Sequence, residues 1–283
     1  MRGGKEERGE VYCDRRVGVV IPVRDGAATV VETLRRLPAF VDRVVVVDDG
    51  SRDGTAAIAR RTAGPRHSRL GAKVQVLSHG ERRGLGAAVL TGYRALLALE
   101  MDLVAVADAD VPLDPDDLVR LIDPIAADQA DFVKGERLVR VRLSAPLRLS
   151  ARLLTRVVGR AVGFSPFADL LTASHAVSAE ALRHLRLESL WREDAYVGDL
   201  LAAVRRAGIT VQAVQLCPAW RPRRVPRDLP RALGAAFLRR IVPRRTRRLP
   251  EPGVRAAARR LVERRRARAS EAVVSTTAVT EVR

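Results

Sequence analysis

The sequence predicts an α/β fold in which a mostly parallel central sheet is covered by helices on both faces. Three apolar runs support this prediction: Val17 to Ile21, Val44 to Val47, and Leu103 to Ala107. The runs are continuous rather than alternating, which is typical of strands buried on both faces. Helical segments are expected from Thr29 to Leu37 and from Asp53 to Ala63. Because strand, polar loop and helix alternate, the chain is predicted to form βαβ units.

Acidic residues follow two of these runs, at the points where the strands are expected to end. Asp48 and Asp49 follow the second run, and Asp108 and Asp110 bracket a single alanine after the third. Ligands of parallel α/β sheets bind beyond the carboxyl ends of the strands. Carboxylates placed there are suitable ligands for a divalent ion, which can in turn bind a diphosphate. Acidic turns after strands are common, so the combination of loops carries the prediction.

The order of motifs along the chain resembles glycosyltransferase family 2. The motifs are Ile21 to Asp25, Val47 to Thr55, Arg83 to Ala88, and Asp108 to Asp110. Lys134 to Arg137 is similar to a Lys-Gly-x-Arg element of the dolichol-phosphate-mannose-synthase-like branch. The resemblance covers residues 16–220. It implies a GT-A nucleotide-diphospho-sugar-binding fold and sugar transfer with inversion at the anomeric carbon.

The resemblance implies that the first two loops bind the nucleotide. Pro22 and Asp25 would frame it, and Asp48 or Asp49 would accept hydrogen bonds from base and ribose. The family usually carries an acidic pair after the first strand, whereas here Asp25 is the only carboxylate left. The alternative for the second loop is a turn and helix cap, and Asp53 is expected to be structural in that way.

Arg83 stands in a glycine-rich stretch that opens a helix predicted from Ala87 to Leu99. Glycines permit close backbone approach, and a helix N-terminus beside arginines favours phosphate oxygens. We therefore expect Arg83 to lie near the donor.

The resemblance also implies Mg²⁺ or Mn²⁺ as the cofactor. Asp110 is the expected direct ligand and catalytic residue, with Asp108 directed towards ribose or metal. The branch typically continues with Gln-His, but Pro112 and Leu113 stand at those positions and cannot coordinate a metal. The next acidic residues, from Asp114, are expected to cap a helix that begins near Pro115.

Two cations leave the strand-like segment from Asp131 to Val133. Lys134 and Arg137 are expected to bind an anionic acceptor or the leaving diphosphate. A surface ion pair is the alternative for Lys134. Further along, Leu171 and Ala173 replace a glutamine and a glycine of the family's acceptor-side loop.

Two later positions are also candidates for the site. His175 is either a phosphate or sugar contact or a satisfied core residue. The segment from Trp191 to Leu201 resembles an aromatic and acidic helix start, in which Asp199 matches the acidic position. Asp199 is the catalytic candidate, and Glu193 and Asp194 are alternatives.

The charge of the chain is concentrated near its C-terminus. Residues 221–268 hold eighteen arginines and three acidic residues, which is +15 of the formal +18. Apolar residues on one predicted helical face there are Leu229, Leu233, Ala236, Phe237 and Ile241. Such a helix can lie on an anionic membrane surface, or it can pack back on the domain. Aromatic residues make up only 4% of the chain, which argues against nucleic acid as a partner.

These patterns divide the chain into an extension (1–15), a glycosyltransferase domain (16–220), a basic partly amphipathic segment (221–269) and a disordered tail (270–283). Cys13 and Cys217 are too few and too far apart for a disulfide scaffold or zinc site, which favours a cytoplasmic protein. There is no apolar run of eighteen residues, so no membrane span is expected. Together with the basic segment, this predicts a cytoplasmic protein that can be peripheral on the inner face of the membrane.

The predicted function is transfer of a hexose from a GDP- or UDP-sugar to a polyprenyl phosphate. An acceptor of this kind is already ionised at neutral pH, so Arg137 would suffice to position it. The alternatives are a soluble hydroxyl acceptor, which would need a carboxylate base, and a catalytically impaired relative that binds nucleotide without turnover.

Overall fold

A computed structural model describes residues 12–64, 73–107, 114–137, 172–194 and 196–217. The predicted loop with Asp108 and Asp110, and the segments 1–15, 221–269 and 270–283 apart from residues 12–15, lie outside this part of the chain. So does the basic C-terminal appendage of the fold prediction.

Seven strands form one sheet in the order β3-β2-β1-β4-β6-β5-β7. The strands are β1 (Val17–Val23), β2 (Arg43–Asp49), β3 (Val74–His79), β4 (Leu103–Val106), β5 (Phe132–Arg137), β6 (His175–Ser178) and β7 (Val211–Leu216). Strand β6 is antiparallel to both of its neighbours, and all the other pairs are parallel. The predicted mostly parallel sheet is therefore confirmed, with one reversed strand that the apolar runs did not indicate.

The helices alternate with the strands through most of the chain. They are α1 (Ala27–Arg35), α2 (Thr55–Thr62), α3 (Leu85–Ala98), α4 (Pro115–Ala126), α5 (Ala179–His184) and α6 (Tyr196–Arg206). Helix α4 begins at the predicted residue, because Asp114 is its N-cap and accepts a hydrogen bond from the Asp116 N–H at 3.0 Å.

Both faces of the sheet are covered, as the continuous apolar runs require. Val20, Val45 and Val104 point to a core shared with α3 and α6. Their sequence neighbours, including Val19 and Val44, point to a second core shared with α1 and α4. Because consecutive strand residues face opposite sides and both sides are covered, every position of β1 and β4 is buried.

Helix α3 lies close against β1 at Gly92. A methyl group added there would come within 2.3 Å of Val20 Cγ1, and Val20 is fully buried. Alanine favours a helix over glycine by about 1 kcal/mol, but overpacking of a core costs about 1–3 kcal/mol. We expect Gly92→Ala to lower the free energy of unfolding by about 1 kcal/mol, measured by urea denaturation.

Gly198 in α6 is the matched control. A methyl group there meets no heavy atom within 4 Å in the described part of the chain. Gly198→Ala is expected to stabilise by up to about 1 kcal/mol. Equal stability of the two variants would show that α3 does not need the close approach.

Candidate functional site

The carboxyl ends of the central strands gather the predicted site loops at one edge of the sheet. Strands β1 and β2 run in register to Val23 and Asp48, and β4 pairs with β1 up to Val106 and Val20. The Ala107 N–H continues this pairing with a hydrogen bond to the Val20 carbonyl oxygen at 2.9 Å. The described part of this segment ends at Ala107, beside β1, and the predicted metal ligand Asp108 is the next residue of the sequence.

The first and second loops are tied to each other by their polar side chains. The Asp25 N–H donates to Ser51 Oγ at 2.9 Å, and Asp25 Oδ1 accepts from the Arg52 N–H at 2.9 Å. Asp25 adopts a left-handed φ of +48°, which aspartate tolerates better than most residues. Pro22 lies within β1, one residue before its end. Nucleotide binding by Pro22 and Asp25 remains a prediction.

Asp53 joins the same two loops. Its Oδ2 accepts from the Ala27 N–H at 2.9 Å, and its Oδ1 accepts from the Thr55 N–H at 3.0 Å. The first contact ties the start of α1, and the second caps the start of α2. The structural role predicted for Asp53 is therefore confirmed.

Asp48 is buried between the second and third loops. Its two carboxylate oxygens accept hydrogen bonds from the hydroxyls of Ser51 and Ser78, the second at 2.9 Å. Only 3% of the residue is exposed. The structure thus holds the Asp48 carboxylate in a defined orientation at the edge of the sheet.

Asp49 organises the turn that precedes α3. Its Oδ1 accepts from His79 Nδ1 and from the Arg83 N–H, both at 2.8 Å, and its Oδ2 accepts from the Gly84 N–H at 2.9 Å. Burial alone would raise the pKa of Asp49, but these hydrogen bonds outweigh it and hold the pKa below its usual range. Asp49 is therefore ionised at neutral pH and fixes the Arg83–Gly84 backbone.

Asp49→Asn is expected to lower the free energy of unfolding by about 1–3 kcal/mol. The amide offers one acceptor oxygen where the carboxylate offers two, so at least one buried N–H loses its partner. The measurement is urea denaturation at pH 7. Asp25→Asn is the control, because Asp25 is exposed and an amide oxygen can still accept from Arg52; it should change stability by less than about 0.5 kcal/mol.

The N-terminus of α3 is closed by the chain itself, which corrects the expectation that it is available to phosphate. The Ala87 N–H donates to the Arg192 carbonyl oxygen at 2.9 Å, and the Gly86 N–H donates to the Glu193 carbonyl oxygen at 3.3 Å. The glycine-rich stretch does permit close backbone approach, but the backbone that approaches is that of residues 191–193. The Arg83 side chain is exposed at this edge, and its donor contact remains a prediction.

The acidic candidates near α6 differ in their surroundings. Asp199 is 8% exposed, and its Oδ2 accepts from the Trp191 N–H at 2.9 Å. Glu193 and Asp194 are more exposed, and the Arg82 guanidinium lies 4.0 and 3.4 Å from their carboxylates. The loop that carries both carboxylates is therefore held against the start of α3.

Lys134 and His175 lie in the core rather than at the edge of the site. The Lys134 Nζ donates to the carbonyl oxygens of Gly135 and Thr172, each at 2.8 Å, and the residue is fully buried. The surface ion pair considered for Lys134 is therefore wrong.

Arg137 ends β5, next to Leu216 of β7. Its expected acceptor contact remains a prediction.

His175 is a core residue whose two ring nitrogens both have hydrogen-bond partners. The second of its two interpretations is therefore confirmed. Its Nδ1 lies 2.6 Å from the Ala173 carbonyl oxygen, and its Nε2 bonds to the Tyr93 hydroxyl. Since a carbonyl oxygen only accepts, Nδ1 carries the proton. The ring stacks on Phe132 with centroids 5.2 Å apart. Burial lowers the pKa of His175 to about 3, so it is neutral in the folded protein at neutral pH.

His79 was missed by the sequence analysis. Its ring joins Asp49 to Thr91 of α3, with Nε2 3.0 Å from Thr91 Oγ1. The only available signal was its position at the end of β3, and histidine alone at a strand end indicates no particular role.

The metal ligands expected from the sequence are carboxylates of the loop after β4. Within the described ranges, no three His, Cys, Asp or Glu side chains are grouped in a way that could hold a metal ion. Asp108 and Asp110 lie outside the described residues, and their role as ligands remains a prediction. Carboxylate oxygens match the ligand preference of Mg²⁺ or Mn²⁺.

The described helices include none that is both long and apolar enough to cross a membrane.

Among solved structures, the fold of this chain is similar to that of glucosyl-3-phosphoglycerate synthase from Mycobacterium tuberculosis. That match has a TM-score of 0.61 and 24% identity, and it covers 82% of each chain. The predicted GT-A arrangement is thereby confirmed.

Curated relatives share part of the chain. A UDP-N-acetylglucosamine–dolichyl-phosphate N-acetylglucosaminyltransferase from Methanococcus voltae is 26% identical over 60% of this chain and 68% of its own length. The polyprenol monophosphomannose synthase of Mycolicibacterium smegmatis is 33% identical over 49% of this chain and 51% of its own. An undecaprenyl-phosphate 4-deoxy-4-formamido-L-arabinose transferase from Pseudomonas aeruginosa is 35% identical over 52% of this chain and 42% of its own.

The chain thus spans about half the length of most of these relatives. The model of the family described as "Glycosyl transferase family 2" matches residues 18–181, which is more than half of the chain. On this match, together with the fold and the order of the edge loops, the chain belongs to glycosyl transferase family 2.

Proposed function

We propose that this chain transfers a hexose from a nucleotide-diphospho-sugar, with GDP or UDP as the nucleotide, to a polyprenyl phosphate. The observation that carries the proposal is the single sheet edge at which the β1, β2 and β3 loops are hydrogen-bonded together beside the exit of the acidic β4 loop. The names of three relatives support the acceptor class: two are transferases named with dolichyl phosphate or undecaprenyl phosphate, and one is a polyprenol monophosphomannose synthase.

The donor would lie across the ends of β1 and β2. Asp48 and Asp49 are held there as oriented, buried carboxylates, and their remaining lone pairs can accept from base or ribose. Pro22 and Asp25 would frame the nucleotide from the β1 side. Asp49 fixes the backbone of the turn at Arg83. The exposed Arg83 side chain can there attract the diphosphate by its charge.

The divalent ion would be held by Asp108 and Asp110. When bound, Mg²⁺ or Mn²⁺ supplies positive charge that offsets the charge growing on the diphosphate leaving group. The exposed cation at this edge, Arg83, would add to the same effect.

The acceptor phosphate needs no general base, because one of its oxygens is already negatively charged at neutral pH. That oxygen forms a new bond to the anomeric carbon as the carbon–oxygen bond to the diphosphate breaks. The nucleoside diphosphate departs with the electron pair, and attack from the opposite face inverts the configuration. Arg137, at the end of β5, is the residue that we assign to position the acceptor phosphate.

A second candidate is transfer to a soluble hydroxyl acceptor. The observation that favours it is the pair of partly exposed carboxylates, Glu193 and Asp194, beside the start of α3. A hydroxyl must lose its proton, and one of these carboxylates could accept it.

We further propose that residues 221–269 dock the enzyme on an anionic membrane surface, from the cytoplasmic side. Eighteen arginines within residues 221–268 supply the attraction, which falls as salt increases. This location would bring the enzyme to the membrane that holds a lipid-linked acceptor.

The test is an assay of the purified protein with a panel of UDP- and GDP-sugars, Mg²⁺ or Mn²⁺, and a short polyprenyl phosphate. A glycosylated lipid phosphate, detected by mass and lost on chelation of the metal, is the expected result. A product formed only with soluble hydroxyl acceptors would favour the second candidate. Nucleotide binding without any product would indicate an impaired relative. Vesicles of phosphatidylglycerol and of phosphatidylcholine, compared at low and high salt, test the docking.

A further inference from the structure

The loop from Trp191 to Asp194, called here the 191–194 loop, is joined to the start of α3 by its backbone. Carbonyl oxygens of Arg192 and Glu193 accept from the N–H groups of Ala87 and Gly86 at 2.9 and 3.3 Å. The first N–H groups of a helix have no partner within the helix. The 191–194 loop therefore caps α3 from outside, across more than a hundred residues of sequence.

Glycine is required on the α3 side of this junction. A methyl group at Gly86 would come within 2.4 Å of the Trp191 carbonyl oxygen and 2.7 Å of Tyr196 Cβ. At Gly84, whose φ is +96°, it would come within 2.4 Å of the Arg192 carbonyl oxygen. The obstructing atoms are mostly backbone, so they cannot move aside without displacing the loop.

Asp199 holds the other side of the loop. It lies in the first turn of α6, is nearly fully buried, and accepts from the Trp191 N–H at 2.9 Å. The Tyr196 N–H donates to the Glu193 carbonyl oxygen at 3.2 Å, so the loop is bonded to α6 as well as to α3.

The charge of the loop indicates what it faces. Glu193 and Asp194 are its partly exposed acidic side chains, and Arg82 of the preceding turn neutralises them in part. Carboxylates repel a diphosphate but accept hydrogen bonds from hydroxyls. The 191–194 loop therefore suits the transferred sugar or the acceptor better than the phosphates of the donor.

We propose that Asp199 and Gly86 are positioning residues that fix the 191–194 loop on the sugar and acceptor side of the site, and that Asp199 is not a proton-transferring base. The assignment rests on the proposed function for its kinetic part. Its structural part, the dependence of the loop on Asp199 and Gly86, can be measured without turnover.

The structural test is amide hydrogen exchange of the full-length protein, read in peptides that cover residues 84–88 and 190–194. Asp199→Asn keeps an oxygen that can accept from Trp191 and should keep the protection of both peptides. Asp199→Ala and Gly86→Ala should lose it by about tenfold or more in exchange rate. Gly198→Ala, also in the first turn of α6, is the matched control and should behave as the wild type.

The kinetic test uses the same variants with the acceptor found active, together with calorimetry of UDP or GDP binding in Mn²⁺. Asp199→Ala and Gly86→Ala should lower kcat/KM for the acceptor by about 10–100-fold, because small displacements of positioning groups have effects of that size. Nucleotide affinity should change by less than about threefold. Asp199→Asn should retain at least about one fifth of kcat, with an unshifted pH profile.

Two results would overturn the proposal. One is an Asp199→Asn variant that keeps its exchange protection yet is as inactive as Asp199→Ala, which is the behaviour of a general base. The other is a Gly86→Ala variant with wild-type exchange in both peptides. If the wild type transfers no sugar from any donor, the proposed function fails, and hydrogen exchange still decides whether Asp199 and Gly86 hold the loop.

Discussion

Asp110→Ala is expected to abolish sugar transfer while the protein remains folded. In the sequence, Asp110 follows the last residue of β4, Val106, by four positions. If the proposed metal site is correct, loss of one of its two carboxylates leaves the divalent ion with a single protein ligand, Asp108, since Pro112 and Leu113 offer no replacement. We expect turnover to fall by about 10³-fold or more, or about 4 kcal/mol of transition-state stabilisation. Product mass and initial rates at saturating Mn²⁺ provide the measurement.

Asp114→Ala is the matched control, because it removes a carboxylate four residues further along the same chain segment. Asp114 is the N-cap of α4, so its loss should cost about 1 kcal/mol of stability. Activity per folded molecule should stay near that of the wild type. The two variants thus separate the effects: one loses activity and keeps stability, and the other does the reverse. An Asp110→Ala variant that retained its activity would remove Asp110 from the metal site.

Strand positions were predictable from sequence because burial on both faces leaves a local signal. The runs at Val17 and Val44 begin within one residue of the observed strands, and α4 begins where a proline follows a capping aspartate. Strand β6 was not predicted as a reversed strand. Its four residues are fully buried like those of parallel strands, so nothing in their composition marks direction.

The site was predictable as a set of loops but not as a set of contacts. Asp48 and Asp49 are the same residue type and are adjacent in the sequence. Asp48 nevertheless accepts from serine hydroxyls, whereas Asp49 accepts from backbone N–H groups of a distant turn. Apart from Ser51, these partners lie 30 to 35 residues from the aspartates, and such a distance leaves no local pattern. The closed N-terminus of α3 is a similar case, because its capping carbonyls come from residues 192 and 193.

Buried titratable residues were the hardest to interpret. Lys134 and His175 both stand in motifs that resemble functional ones, and charge or ring nitrogen alone suggested a ligand. In the structure, Lys134 Nζ donates to two carbonyl oxygens. The His175 ring contacts Tyr93 and Phe132. Both residues are fully buried in the core, and neither their charge nor their ring nitrogens predicted this from the sequence.

The stability of the protein is expected to fall steeply as the pH falls below 6.5, in part because of His175. In the unfolded chain this histidine takes up a proton near its ordinary pKa of 6.5, whereas burial lowers the pKa to about 3 in the folded state. The stabilising contribution is therefore fully present above pH 6.5 and is lost as the pH falls towards 3. The slope for one such group is about 1.4 kcal/mol per pH unit.

His175→Gln isolates this contribution from that of the carboxylates, since all other groups are unchanged. An amide can donate to the Ala173 carbonyl oxygen and accept from the Tyr93 hydroxyl, the two contacts that His175 makes. At pH 8 the variant should be less stable by about 1–3 kcal/mol, because the stacking on Phe132 is lost. Between pH 6.5 and 4 this deficit should shrink by about 1.4 kcal/mol per unit and disappear within that range, as the wild type bears a cost that glutamine does not. Urea denaturation at several pH values measures both curves. A deficit that stayed constant from pH 8 to 4 would mean that the folded protein accepts a proton at His175, which would require water or an anion beside the ring, in the interior between Tyr93 and Phe132.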